Sequence, residues 1–222
     1  MLMRDRLAMK VLLLCVLLPA DALSGDGVAI WEQTPIGTGS TLSYENCGAL
    51  RVQLADGFVG NGEAIEGIAW WGRQLDGTDP DAFRLEIWSH SADGCPESLL
   101  YSELVDLFTQ YDGFPYNRYE AELAVPFVAL TDTQYHLAIT QVLCEMPDDL
   151  FHFAWAWGTG DGEQLCIRRE GDPEWVPGDT YMSTEAELSF VLYSEMPTTP
   201  TTVHSWAKIK QRFRSDGATP RN

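Results

Sequence analysis

Acidic side chains supply the first candidates for chemistry. The run Asp76-Gly77-Thr78-Asp79-Pro80-Asp81 puts Asp76, Asp79 and Asp81 in one short loop. Hard carboxylate oxygens at that density suit calcium, which is the only cofactor the sequence points to. The spacing is not that of an EF-hand loop, because the glutamate at the twelfth position is missing. An ordinary Asp/Gly/Pro turn has the same composition and is the competing reading. Asp148-Asp149 and Asp161/Glu163 are weaker acidic pairs. Two carboxylates would also suit a glycosidase, which holds them about 5–9.5 Å apart. Glu86, Glu120 and Glu122 are the most strand-like carboxylates, with plain solubilising charge as the alternative.

Nucleophilic chemistry has less behind it. No Gly-x-Ser-x-Gly elbow occurs, and only His90, His136, His152 and His204 are available as bases. His136 and His152 alternate away from the apolar positions of their strands, which is a poor arrangement for a metal. Gly158-Thr159-Gly160-Asp161-Gly162 opens no helix and reads as a hairpin turn, not a dinucleotide loop. No catalytic residue is assigned. Carbohydrate binding needs aromatic platforms on a sheet face, and Trp71, Trp88 and Trp175 are the candidates. A loop or a second core layer would cover them equally well.

The elements that must hold these residues are strands. Phe83, Leu85 and Ile87 alternate with Arg84, Glu86 and Trp88; Tyr135, Leu137 and Ile139 alternate with His136, Ala138 and Thr140. Leu188, Phe190 and Leu192 alternate in the same way. Asp56-Gly57, Asp76-Gly77, Asp93-Gly94 and Asp112-Gly113 punctuate the runs as turns. About ten short strands with such turns imply an all-β fold, an antiparallel β-sandwich of jelly-roll-like type. Leu99 to Phe108 fits either a strand or a short helix.

Three segments follow from composition. Arg4, Arg6 and Lys10, the apolar run Val11–Leu18, Pro19 and the small-x-small Ala20-Asp21-Ala22 read as a secretory signal peptide over residues 1–22, too short to span a bilayer. The sandwich is expected over 23–197. Residues 198–222 form a Thr/Pro linker and a short basic amphipathic tail, in which Trp206, Ile209 and Phe213 share one helical face beside Lys208, Lys210, Arg212 and Arg214. That tail is a candidate contact for an envelope or sorting partner.

An exported chain with Cys47, Cys95, Cys144 and Cys166 left after cleavage is expected to carry two disulfides. Local loop closure favours Cys47–Cys95 and Cys144–Cys166. The chain has a formal net charge of −19, and its 23–197 segment holds 30 of the 33 acidic residues against six arginines and no lysine. Such a body repels nucleic acid and anionic lipid, and attracts cations and basic partners.

The order of motifs carries a resemblance. Leu54-Ala55-Asp56-Gly57-Phe58 resembles an Ala-Asp-Asp-Phe strand start, departing from it at Gly57. Ile65–Gly72 ends in Ala-Trp-Trp-Gly, and Phe83–Ile87, Pro126–Leu130, Tyr135–Ile139, Phe153–Gly158 and Leu188–Tyr193 follow in order. The chain resembles a group of uncharacterised secreted bacterial β-sandwich proteins that are surface-associated. The resemblance implies fold and export and brings no catalytic residues with it. The Trp206-x-x-Ile209-Lys210 segment is similar to the endings of some exported bacterial proteins. The expectation is a non-enzymatic, extracellular binding or structural module, with a polysaccharide or other envelope component as partner. A secreted carboxylate-dependent hydrolase is the alternative.

Overall fold

A computed structural model describes residues 27–46, 49–74, 80, 82–143, 153–158, 165–180 and 187–197. The expected signal peptide, the Asp76, Asp79 and Asp81 loop residues, Cys47, Cys144 and the basic tail lie outside the described residues. The strands, numbered in chain order, are β1 (Val28–Gln33), β2 (Pro35–Leu42), β3 (Tyr44–Asn46), β4 (Ala49–Val59), β5 (Ala64–Gln74), β6 (Ala82–His90), β7 (Pro96–Val105), β8 (Thr109–Tyr111), β9 (Asn117–Val128), β10 (Gln134–Leu143), β11 (Phe153–Gly158), β12 (Cys166–Arg169), β13 (Asp172–Pro177), β14 (Glu187–Leu188) and β15 (Phe190–Glu195).

They form two packed sheets, the all-β sandwich that the alternation implies. The first runs β1-β15-β5-β11-β14, with β9 also on β5, β8 on β9 and β2 on β11. The second runs β13-β12-β4-β3-β10-β6-β7, and β4 also pairs with β10. One pairing departs from the antiparallel expectation: β3 and β10 run parallel, from Gln141↔Tyr44 to Leu143↔Asn46. The cause is geometric. Both strands are antiparallel to β4, each against a different part of it, so they must be parallel to each other.

Period-2 alternation decides what is inside. Phe83, Leu85 and Ile87 of β6 and Leu137 and Ile139 of β10 face Ile68 and Trp70 of β5 and Phe190 and Leu192 of β15 across one core. Trp70 stacks on Tyr119 with ring centroids 5.8 Å apart and meets Phe83 edge-on at 5.0 Å. Each such side chain, fully buried, contributes about 1.5–3 kcal/mol from area alone. One carboxylate also sits in this layer. Asp56 on β4 accepts the backbone N–H of Leu188 on β14 at 2.6 Å and that of Gly57 at 2.9 Å, fastening one sheet to the other.

Two sequence ambiguities resolve here. The Leu99–Phe108 stretch is a strand as far as Val105. Its pairing with β6, from Phe83↔Val105 to His90↔Pro96, outweighs any local helical preference. The cysteine pairing differs from expectation. Cys95 bonds to Cys166, with Cα atoms 5.8 Å apart, so neither Cys47–Cys95 nor Cys144–Cys166 forms. Sheet order explains this. Ile167 points into the core, which turns Cys166 to the outer face of the second sheet. The β6–β7 turn reaches across that face to meet it, shaped by Gly94 at φ 87° and by Ser91 Oγ accepting the N–H of Cys95 at 3.3 Å.

Candidate functional site: a covered aromatic face and an acidic groove

The residues of β4, β6 and β10 that alternate away from the core ought to meet solvent. Instead Gln53, Ala55, Glu86, His136, Ala138 and Thr140 are all buried. Ala55 and Ala138 are direct cross-strand partners and form a small-residue floor. Trp88 from β6 and Trp175 from β13 pack over it, their rings 5.7 Å apart and near perpendicular. The Arg168 guanidinium stands 4.8 Å from the centre of each ring, an arrangement of cation–π type. Beneath it a polar network closes on itself. Glu86 Oε2 accepts from Gln53 Nε2 at 2.7 Å and from Trp88 Nε1 at 3.2 Å. Arg168 donates through Nε to Gln53 Oε1 at 2.7 Å and lies 3.8 Å from Glu86. Burial lowers the Arg168 pKa, against the pull of Glu86 and Glu45.

Beside this layer His90 Nδ1 and His136 Nε2 are 3.0 Å apart, with the rings stacked. One nitrogen donates and the other accepts, with the tautomers deciding which. Burial, and then the neighbouring His90, lower the His136 pKa to about 3. Arg84 closes the far end of the face by a two-pronged contact with Glu45, 2.8 Å at its shortest.

The structure therefore brings together two of the three sequence-predicted tryptophans. Trp88 is only 9% exposed, and Trp175 is half-buried. Trp71 is elsewhere, on the outer face of the first sheet among Ala69, Val191, Tyr193 and Met196. Arg118 lies 5.4 Å from its ring centre and donates to the Tyr193 hydroxyl at 2.8 Å. The strand carboxylates are divided too. Glu86 belongs to the outer face of the second sheet, whereas Glu120 and Glu122 belong to β9 in the first. Glu120 accepts the Tyr111 hydroxyl at 2.9 Å and pairs with Arg118.

A concavity lies where the chain crosses from one sheet to the other, between β7 and the β8–β9 pair. It is a groove of about 720 Å³. Glu103, Asp106, Glu120 and Glu122 place four carboxylates along it, and Met196 and Pro197 form part of its wall. Leu104 and Leu107 also line it, 52% and 61% exposed. Glu103 spans the groove's inner end, accepting the backbone N–H of Ala124 on β9 at 3.1–3.2 Å. The Tyr101 hydroxyl donates to the same carboxylate. Burial and that contact raise its pKa, so it stays a donor. The surface is thus acidic and apolar at once. Among the described residues no cluster of His, Cys, Asp or Glu is arranged to hold a metal ion. No helix among them is long and apolar enough to cross a membrane.

No protein-family model, curated protein or solved structure matches this chain. Geometry alone carries the functional reading. Sequence reasoning did not find the groove, since its two walls come from different sheets and from a segment of ambiguous type. The covered face was half legible: alternation put Arg84, Glu86 and Trp88 on one side. Nothing in the sequence told that Arg168 and Trp175 would come to lie over them.

Proposed function

We propose that the chain is a secreted, non-enzymatic binding module whose ligand surface is the groove between β7 and β9. One observation carries this reading: four carboxylates line a concavity that also exposes Leu104 and Leu107. Exposed apolar groups rimmed by charge mark contact surfaces. The chemistry that fits is a cationic, amphipathic segment, held by carboxylates along its length and by apolar contact beneath. The acidic body adds long-range attraction to the same class of partner. Of the carboxylates singled out for hydrolysis, Glu86 lies on the other sheet and Glu120 is engaged by Arg118 and the Tyr111 hydroxyl, which supports binding over cleavage.

Calorimetric titration of the mature protein with a synthetic basic amphipathic peptide tests this. Binding should weaken about tenfold between roughly 0.05 and 0.5 M salt. It should weaken again in Asp106→Asn and Glu122→Gln, two exposed positions where the fold is not at stake. A polysaccharide panel run in parallel checks the second reading, which rests on the half-buried Trp175 beside Glu86, Gln53 and Arg168. Peptide heats that ignore both salt and the groove variants would reject the groove as the ligand surface.

A further inference from the structure

We infer that the groove is the seat of the chain's own basic tail, Trp206 to Arg214. This rests on the groove being a site for cationic amphipathic segments, and it names the first such segment the groove meets.

Four observations converge. The chain leaves the sandwich at the groove, because Met196 and Pro197 belong to its wall. That exit is fixed in place. A Cβ built on Gly27 would stand 2.7 Å from the backbone oxygen of Glu195 and the backbone nitrogen of Pro197, so that glycine leaves room for the chain there, and Gly67 lies against the Met196 side chain. Met196 also packs with Ala69, Val191 and Tyr193. Second, the linker between Pro197 and Trp206 is short. Eight residues reach about 26 Å at full extension, enough to turn back along the groove and too little to search the whole molecule. Third, the charges complement: Lys208, Lys210, Arg212 and Arg214 against Glu103, Asp106 and Glu122, while Glu120 is buried in its pair with Arg118. Fourth, the apolar parts complement as well. Trp206, Ile209 and Phe213 recur with helical period, and Leu104 and Leu107, which line the groove, are exposed. A tether of this length gives an effective concentration in the millimolar range, so even weak intrinsic affinity fills the groove.

The sequence supplies an unusually clean experiment. The only lysines are Lys10, Lys208 and Lys210, so after signal removal the amines are the N-terminus and the two tail lysines. Treatment of the full mature chain with a zero-length carbodiimide joins those amines to carboxylates in contact with them. Peptide mapping of the monomer fraction then reads where the tail rests. Links from Lys208 or Lys210 should be enriched about fivefold or more at Glu103, Asp106 and Glu122 over the other carboxylates, and be lost at about 0.5 M salt. Tail links scattered over the domain, links only between molecules, or no links at all would overturn the inference. A second reaction adds the synthetic peptide in excess. If the added peptide marks the groove and the tail does not, the tail inference fails while the groove reading stands. If neither marks it, both fail.

Discussion

His136 lies fully buried against His90, with Trp88 as its cross-strand neighbour on one side and Gly57 on the other. Held down to about 3 by burial and by His90, it stays neutral in the folded protein at any ordinary pH. In the unfolded chain it titrates near 6.5. The stability this difference supports is complete above pH 6.5 and is lost as pH falls toward 3, because only the unfolded state takes up the proton. The slope approaches about 1.4 kcal/mol per pH unit. Urea midpoints measured near pH 7 and pH 5 should therefore drop in the wild-type chain, and drop less in His136→Gln. Equal drops in both would show that other groups set the acid limit. Asp56 makes a second test at this scale. Asp56→Ala leaves the buried Leu188 N–H without its acceptor and should cost about 2–3 kcal/mol in urea unfolding. An effect under roughly 0.5 kcal/mol would mean that the inter-sheet tie is replaced by another contact.

Strands and their order decide more than the local pattern reveals. The inward residues of β6, β10 and β15 were legible because a buried face forces strict alternation, and that constraint is local. The Cys95–Cys166 link was not legible. It depends on β12 lying beside β4 and on a hairpin reaching over the sheet, which are facts about distant partners. Closing a loop of 71 residues, this bond should contribute about 4 kcal/mol through the unfolded chain. The paired variant Cys95→Ala with Cys166→Ala should show that loss with the strand content unchanged by far-UV circular dichroism. Strand register predicts the remaining pair. Asn46 and Leu143 are partners in the parallel β3–β10 pairing, and each directly precedes a cysteine in the sequence. Non-reducing peptide mapping should recover Cys47 joined to Cys144. Free thiols at both positions would contradict it. The calcium candidates fall outside the described residues, so the sequence remains the whole of that argument.

At the scale of the molecule, charge is sorted along the chain: an acidic body and a basic end. Among the described residues the core cluster draws on positions from Ile30 to Leu192. Truncation after Pro197 should leave the melting temperature within about 2 °C, as a surface change does. The same truncation should shift the protein from envelope to medium if the tail is what an envelope partner takes. An unchanged distribution would remove the sorting role while leaving the groove's occupancy to the crosslinking result.

The bond between Cys95 and Cys166 closes a face whose contents are aromatic and whose sheet does not depend on it. The two-sheet core draws on neither sulfur. A preparation made without the bond would keep its strand spectrum and its inner tryptophans, Trp70 and Trp155, and would differ in the exposure of Trp88 and Trp175. The molecule thus carries its own oxidation gauge. Water-soluble quenchers reaching one pair of indoles and not the other would tell a finished batch from an unfinished one, where a measure of fold would pass both.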